Sequence, residues 1–340
     1  AVIWDIQRIG PSTGLPTRTS QADLRFVYGL SHGDTRHPIL LPCSVRDCYE
    51  FGFKAFDLAE RLQTQVFVLS DLDLAMNNWM SEPFPYPDKA WDRGKVLSDE
   101  ALAKLARFER YRDVDGDGIP WRTLPGLNRD VKGAYFTRGS GHDEAARYTE
   151  SPEVYARNME RLARKFETAR KLVPAPEVWD DDRAEVGLIA FGSTHWAMVE
   201  ARDQLRAAGL ATGYLLLKAL PFTEHLARFV KKHKRVYVVE QNRDGQMCDL
   251  VRLELPADAG RIRSVRHFTG MPVDPANPKP RICDVLARYD GYNSNSMPTT
   301  LSVFLCTKDK LGYFQREGSS YQWEWMMNGR TIENRATDRG

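Results

Sequence analysis

The chain opens with a segment that combines a short apolar run, a tight turn and a cluster of hydroxyl side chains. Four apolar residues lead into Asp5-Ile-Gln-Arg-Ile-Gly-Pro-Ser-Thr-Gly-Leu-Pro-Thr17. An apolar run that stops at Gly10-Pro11 predicts a buried strand that ends in a turn. The glycines and prolines restrict the backbone of the loop that follows, so its side chains are held in a fixed arrangement.

This loop has the side chains that a small carboxylate needs. Arg8 lies close in sequence to the hydroxyl groups of Ser12, Thr13 and Thr17. A guanidinium group beside hydroxyl donors matches the two oxygens of a carboxylate. The alternative is a strand-end loop whose hydroxyl groups only satisfy neighbouring backbone groups.

Composition and charge narrow the possible classes of protein. The 340 residues carry a formal net charge of +2, so nothing favours nucleic acid or an anionic membrane as a partner. No apolar run approaches the roughly 18–20 residues of a membrane helix. The five cysteines include no Cys-x-x-Cys pair, which favours free thiols in a reducing cytoplasm and argues against an iron–sulfur cluster held by this chain alone. The sequence begins within a strand, so we expect the first domain to be truncated at its N-terminus.

The order of predicted elements indicates an α/β protein in four parts. Residues 1–75 alternate strand, helix and strand, as in a doubly wound parallel sheet, whose ligands bind beyond the carboxyl ends of the strands. Residues 76–182 are predicted to be an irregular and partly helical insertion that ends in an acidic linker. Residues 183–290 return to the α/β alternation, and residues 291–340 form a tail of unassigned role with the period of a hairpin.

Two long amphipathic helices are predicted, after Ser44 and after Ser151. The first would bury the stripe Cys48, Gly52, Ala55, Ala59 and Leu62. The second would bury Tyr155, Met159, Leu162, Phe166 and Ala169.

The insertion contains a run of alternating aspartates, Asp113-Val-Asp-Gly-Asp-Gly118. Carboxylates at this spacing before a glycine turn resemble the first half of an EF-hand loop. They predict a site for Ca²⁺ or Mg²⁺ with Asp113, Asp115 and Asp117 as ligands. The twelfth position is Leu124 rather than a bidentate glutamate, so a complete EF-hand is not expected. A solvated turn is the alternative.

Five segments together resemble the α subunits of 2-oxoacid:ferredoxin oxidoreductases, most of all those of the 2-oxoglutarate type. The opening motif, from Asp5 to Thr19, resembles the signature of that family and is long enough to be specific. The other four segments are Tyr28-x-x-Ser-His-Gly-Asp34, Val68-Leu-Ser-Asp-Leu-Asp-Leu-x-Met-Asn77, Asp113-Val-Asp-Gly-Asp-Gly-Ile-Pro120 and Glu240-Gln-Asn-Arg-Asp-Gly-Gln246.

The resemblance implies a fold, a reaction and a set of partners. The fold is α/β, with a thiamine-diphosphate-enzyme pyrimidine-binding-type domain followed by a transketolase C-terminal-like domain. The reaction converts a 2-oxoacid, coenzyme A and oxidised ferredoxin reversibly into acyl-CoA, CO₂ and reduced ferredoxin. A β subunit would hold thiamine diphosphate, Mg²⁺ and a [4Fe–4S] cluster. The expected assembly is a cytoplasmic α₂β₂ heterotetramer that is active only with both subunits.

The resemblance also implies roles for individual residues. Arg8 would pair with the 1-carboxylate of the substrate, and Thr17 would support it. Ser12, Thr13 and His142 are candidates for the cofactor cleft, and for His142 a packed loop is the alternative. The glutamate that activates the aminopyrimidine is expected upstream of this chain, so no catalytic residue is assigned.

Two other functions stay open at this point. One is a pyruvate or branched-chain 2-oxoacid enzyme, because the acyl pocket is built by both subunits and this sequence does not fix the acyl chain. The other is a non-catalytic α/β scaffold, against which the intact opening loop argues.

Overall fold

The computed structural model describes residues 1–86, 88, 92–126, 132–137 and 139–273, together with the backbone of four strands between 303 and 334. The helices are α1 (Leu24–Tyr28), α2 (Val45–Leu62), α3 (Leu72–Met76), α4 (Asp99–Lys104), α5 (Pro152–Leu172), α6 (Thr194–Ala207), α7 (Glu224–Lys232) and α8 (Gln246–Glu254), and a 3₁₀ helix spans Pro256–Arg261. The strands are β1 (Val2–Ile9), β2 (Leu15–Thr19), β3 (Ile39–Leu40), β4 (Val66–Asp71), β5 (Glu177–Trp179), β6 (Val186–Phe191), β7 (Thr212–Leu217), β8 (Ala219–Leu220), β9 (Arg235–Glu240), β10 (Ile262–Arg266), β11 (Val303–Thr307), β12 (Lys310–Glu317), β13 (Ser320–Met327) and β14 (Arg330–Asn334).

The first sheet has the strand order β2-β1-β4-β3-β8. Strands β1, β4 and β3 are parallel, and β1 pairs with β4 from Val2 opposite Val66 to Gln7 opposite Asp71. Antiparallel strands β2 and β8 lie at the two edges. The predicted α/β class is confirmed by this mixed sheet and the helices that connect its strands.

The second sheet has the order β10-β9-β6-β7-β5, with a parallel centre. Its edge strand β5 pairs antiparallel with β7 through Glu177 opposite Leu216. The acidic segment predicted as a linker therefore contains a strand, which is a correction. The period-2 signal is weak there because all three β5 residues are exposed.

One of three buried hydrophobic clusters joins the two sheets. Strand β8 follows β7 closely but joins the first sheet, where Leu220 pairs with Ile39. One buried cluster includes Phe67 and Leu69 of the first sheet and Phe191 of the second. The carboxyl ends of parallel strands from both sheets are held together by this core.

Both long helices begin at the predicted cap residues, but the residues that they bury differ from the prediction. Helix α2 buries Phe51, Ala55, Leu58 and Leu62, so the predicted stripe is only partly correct. Helix α5 buries Arg161 and Ala169, whereas Tyr155 is 61% exposed. The prediction for α5 was wrong at Tyr155. It also missed Arg161, because a hydrophobic stripe alone does not reveal a buried arginine.

Strand β1 is less buried than its apolar sequence predicted. Ile3, Trp4 and Ile6 are 41%, 40% and 39% exposed, whereas Gln7 is 1% exposed. Along Val2–Gln7 the strand has β4 on one side, and β2 joins the other side only at its end. The strand leading into the opening loop thus presents apolar side chains to the surface.

The tail contains a four-stranded antiparallel meander in the order β11-β12-β13-β14. Its central hairpin pairs Glu317 with Ser320 at the turn, which confirms the hairpin predicted for this segment. The division of the chain into four parts stays a prediction. Among the described helices, none has the length and hydropathy that crossing a membrane requires.

Candidate functional site

The opening motif forms an antiparallel hairpin at the carboxyl end of β1. Arg8 pairs with Thr19, but Ile9 pairs with Leu15, which leaves three extra residues on the β2 side, centred on Thr17. Such bulges redirect side chains and are frequent beside active sites. The two predicted substrate-binding residues therefore lie on facing segments of one distorted hairpin.

The path of the hairpin depends on two glycines. Gly14 has a φ of +49°, and a Cβ atom there would collide with the carbonyl oxygen of Ile9. Gly270, with a φ of +84°, accepts a 3.1 Å hydrogen bond from the backbone of Thr19 and leaves no room for a side chain against Ile9 and Arg18. The loop is fixed from within and from the segment that follows β10.

Arg8 is half-buried and uses part of its guanidinium group to hold the loop. Its Nη1 atom donates to the carbonyl oxygens of Thr13, at 2.6 Å, and Ile9, at 3.4 Å. Among the described residues, no acceptor is found for its remaining N–H groups or for the exposed hydroxyl groups of Ser12 and Thr17. The hairpin thus offers free donors next to a guanidinium group that is already positioned.

Two interacting carboxylic acids lie in this region, and one of them, Asp23, interacts electrostatically with Arg8. Burial, with the charge of Asp23 as a second cause, raises the pKa of Asp5 to about 6. Burial also raises the pKa of Asp23, although the positive charge of Arg8 acts in the opposite direction. Asp23 is fixed by Gln7, whose Oε1 accepts from the backbone N–H of Asp23 at 3.1 Å. The sequence analysis did not identify this acidic pair.

Below the hairpin, buried amide and carboxylate groups connect the two sheets. The Nε2 of Gln21 donates to Phe191 O at 3.0 Å, and its Oε1 accepts from Gln241 N and Thr194 Oγ1 at 3.0 and 3.1 Å. The Asp71 carboxylate accepts from the backbone N–H of Ser193, the N-cap of α6, at 3.2 Å. These groups are at most 5% exposed, so they fix the strand ends rather than contact solvent.

The contacts of the Glu240 motif show a structural role. Glu240 is fully buried and accepts hydrogen bonds from the backbone N–H groups of Met247 and Cys248 in α8. Asn242 bonds both Gln21 O, at 3.1 Å, and Gly245 N, at 2.7 Å. Burial raises the pKa of Glu240 despite these donors.

The aspartate loop encloses an ammonium group. The Nζ of Lys95 lies 2.5 Å from Asp115 Oδ1, 2.7 Å from Asp117 Oδ1 and 2.8 Å from Ile119 O. Asp113 accepts from the backbone of the glycine turn and pairs with Arg164 at 3.2 Å. The three carboxylates do converge within 4.8 Å of one another, as the metal prediction requires. Lys95 lies against two of these carboxylates, a contact that the sequence did not indicate, and the metal site stays a prediction.

His142 lies in the insertion. Its ring stacks on Tyr111 with centroids 3.8 Å apart, and its Nδ1 is 3.1 Å from Asp143 O. Its backbone oxygen accepts from Asn158 of α5 at 2.7 Å. These contacts are those of a packed loop, and its assignment to a cofactor cleft stays a prediction.

Comparison with known proteins identifies the family. Residues 1–108 match a family model described as pyruvate flavodoxin/ferredoxin oxidoreductase, thiamine diP-binding. The α subunit of 2-oxoacid:ferredoxin oxidoreductase 1 from Aeropyrum pernix is 35% identical over 269 residues, covering 74% of this chain and 39% of that subunit. The 2-oxoglutarate synthase subunit KorA from Methanothermobacter marburgensis is 32% identical over 257 residues, covering 72% of this chain and 63% of KorA. The chain belongs to the 2-oxoacid:ferredoxin oxidoreductase α-subunit family.

A solved structure agrees with this membership. The chain matches 2-oxoglutarate:ferredoxin oxidoreductase from Magnetococcus marinus, solved with 2-oxoglutarate, coenzyme A and succinyl-CoA bound, with a TM-score of 0.69 and 27% identity. The match covers 81% of this chain and 46% of that one. The resemblance drawn from the opening motif is confirmed, including its similarity to the 2-oxoglutarate type. The chain spans between 39% and 63% of the two α-subunit relatives compared.

Proposed function

We propose that this chain is the α-subunit portion of a thiamine-diphosphate-dependent 2-oxoglutarate:ferredoxin oxidoreductase. The reaction would convert 2-oxoglutarate, coenzyme A and oxidised ferredoxin into succinyl-CoA, CO₂ and reduced ferredoxin. The observation that carries the proposal is the bulged hairpin, which holds Arg8 in place and leaves donors free beside it. Family membership supplies the reaction class.

In this proposal Arg8 binds the 1-carboxylate of the substrate. Its contact with Thr13 O fixes the guanidinium group, so little side-chain entropy is lost when the substrate binds. The Thr17 hydroxyl, in the bulge opposite, would donate to the same carboxylate. Positioning the 2-oxo carbon in this way lowers the barrier by removing unproductive orientations.

The surroundings of the hairpin fit an aromatic cofactor beside an anionic substrate. Ligand sites are mostly apolar with a few well-placed polar groups. Strand β1 presents Ile3, Trp4 and Ile6 at the surface and leads directly to the hairpin. When bound, thiamine diphosphate supplies the electron sink that decarboxylation needs. Within this chain, Ser12 and Thr13 are the candidates for lining the cofactor cleft.

The remaining assignments belong to the same proposal. A β subunit would carry the diphosphate with Mg²⁺ and the [4Fe–4S] cluster, in a cytoplasmic α₂β₂ assembly that passes electrons to ferredoxin. The three cysteines in the described part, Cys43, Cys48 and Cys248, are free thiols, and burial raises the pKa of Cys43 and Cys248 to about 12. Neutral thiols are poor cluster ligands, which supports placing the cluster on the partner.

The test is Arg8→Ala in the complex reconstituted with its partner subunit. Losing one side of a desolvated charge pair costs about 3–5 kcal/mol, so kcat/KM for 2-oxoglutarate should fall by roughly 10²–10³-fold. Thr17→Ala, which removes one hydrogen bond, should cost on the order of tenfold. Arg8→Lys should restore only part of the loss, since an ammonium cannot make the two-pronged contact.

A surface variant of the same residue type serves as the control. Arg46 is exposed on α2 and pairs with Glu50 of the same helix, so Arg46→Ala should keep wild-type turnover. Thiamine diphosphate affinity should be unchanged in all variants. Wild-type kcat/KM in Arg8→Ala would show that the substrate carboxylate binds elsewhere.

A further inference from the structure

The insertion contains a cluster of positive charges that its neighbours do not neutralise. The guanidinium carbons of Arg110 and Arg161 lie 5.2 and 5.9 Å from the centroid of the same ring, that of Tyr111. Lys165 follows Arg161 by one turn of α5. Like charges held this close cost free energy unless an anion compensates them.

Several donors of this cluster have no acceptor. Arg161 is 9% exposed and donates through Nη1 to Gly118 O at 3.1 Å, but its buried Nε has no partner. Arg110 donates to Gln63 Oε1 at 2.7 Å, and its buried Nη1 has no partner. Among the described residues, Lys165 has neither a hydrogen-bond acceptor nor an ion-pair partner. Buried donors without acceptors are rare and call for an explanation, such as a missing ion.

A cavity of about 160 Å³ adjoins the cluster. Its basic lining residues Arg157, Arg161 and Arg164 recur along one face of α5, next to Asn158 and Tyr111. This space is several times the roughly 30 Å³ that one water molecule occupies in the liquid. It admits a small tetrahedral anion and is too small for a segment of another protein.

The acidic residues of the cavity do not cancel its charge. Asp113 already accepts from two backbone N–H groups and from Arg164. Glu144 and Glu160 are exposed at the surface of the protein. Arg110 and Lys165 do not line the cavity, but their charges act within the same cluster as Arg161. With them, five basic side chains outnumber the three acidic ones.

We propose that Arg110, Arg161 and Lys165 form a binding site for a phosphate group between α5 and the Tyr111 segment. Guanidinium groups with free N–H donors match phosphate oxygens, and a lysine adds a point charge. The site is separate from the hairpin and does not depend on the proposed reaction. The phosphate can be inorganic phosphate or the phosphate group of a nucleotide-like cofactor such as coenzyme A.

The protonation of Lys165 agrees with this assignment. Burial, together with the charges of Arg161 and Arg110, lowers its pKa to about 8. A bound dianion would favour the charged ammonium and raise this pKa again.

The experiment is a thermal-unfolding titration of the full chain at pH 7 with sodium phosphate against sodium chloride at equal ionic strength. The wild-type melting temperature should rise with phosphate and not with chloride. In Lys165→Met the apparent phosphate affinity should fall at least tenfold, and Lys165→Arg should retain most of it. Lys171→Met, an exposed lysine of the same helix, serves as the matched control and should bind phosphate like the wild type.

Lys165→Met is a safe variant, because removing an unpaired charge between two arginines should raise stability in chloride. A second titration with coenzyme A in place of phosphate identifies the source. Competition with phosphate would assign the site to the phosphate groups of that molecule, and binding of phosphate alone would assign it to the free ion. Equal effects of phosphate and chloride, or an undiminished phosphate effect in Lys165→Met, would overturn the proposal.

Discussion

Replacing Lys95 with methionine tests which cation the aspartate loop uses. Methionine keeps most of the apolar stem and removes the ammonium group that contacts Asp115, Asp117 and Ile119 O. If Lys95 is the cation of this loop, the wild-type protein folds without metal. The variant would then leave the carboxylates repelling one another around an open position.

The structure sets the expected size of the effect. The Lys95 side chain is 16% exposed, whereas those of Asp115 and Asp117 are 52% and 32% exposed. Exposed ion pairs contribute about 0–1 kcal/mol, and breaking a buried pair costs about 3–5 kcal/mol. Since this pair lies between those limits, we expect a loss of about 2 kcal/mol, the range of hydrogen bonds to charged groups. That corresponds to a melting temperature lower by roughly 4–8 °C.

The assay is thermal unfolding with EGTA and with millimolar Ca²⁺. Wild type should show no difference between the two conditions, because Ca²⁺ would have to displace the ammonium group. Lys95→Met should regain stability with Ca²⁺, by about 2.7 kcal/mol when the ion is at 100 times its dissociation constant. Lys104→Met, an exposed lysine in α4, is the control and should match wild type. The reasoning fails if EGTA destabilises the wild-type protein, since the loop then binds a metal despite Lys95.

Two further predictions concern the groups around the hairpin. Gln21→Leu leaves the three hydrogen-bond partners of its amide unsatisfied. At about 1–3 kcal/mol for each partner, the free energy of unfolding measured with denaturant should fall by more than 3 kcal/mol. Gln204→Leu is the control and should cost little, because its amide bonds only Glu200; a similar loss of stability in both variants would contradict the argument. Asp5→Asn should flatten the pH dependence of stability, because a carboxyl with a pKa of about 6 in the folded protein and an ordinary value of 3.8 makes stability fall as pH rises from about 4 to 6. Melting curves at pH 4.5 and 7 check this, and an unchanged difference between the two pH values would refute it.

Local signals in the sequence predicted much of the fold. Ser44 and Ser151 begin their helices with the side chain accepting a backbone N–H, as their positions before an apolar period indicated. Helix caps and hydrophobic periodicity depend on residues within one or two helical turns. They can therefore be recognised in the sequence without knowledge of tertiary contacts.

Features that depend on distant residues were not predictable in the same way. Lys95 reaches Asp115 from 20 positions away, and the contact between Gln21 and Gln241 spans 220 positions. A buried arginine such as Arg161 breaks the hydrophobic pattern of its helix, so periodicity assigns it to the surface. At the site, the motif identified Arg8 and Thr17, but the bulge that sets them opposite each other depends on Gly270.

The buried polar groups explain how an exposed hairpin can hold its geometry. Gln7 bonds Ser70 O and Asp23 N, so β1 is tied both to β4 and to the chain beyond the hairpin. Gln21 and Asp71 then tie that region to the ends of β6 and β9 in the second sheet. A binding group works when its support allows movements of only about 0.5 Å. Because the side chains of Gln7, Gln21 and Asp71 are buried and tie this region to both sheets, Arg8 can stay accessible to a ligand without becoming mobile.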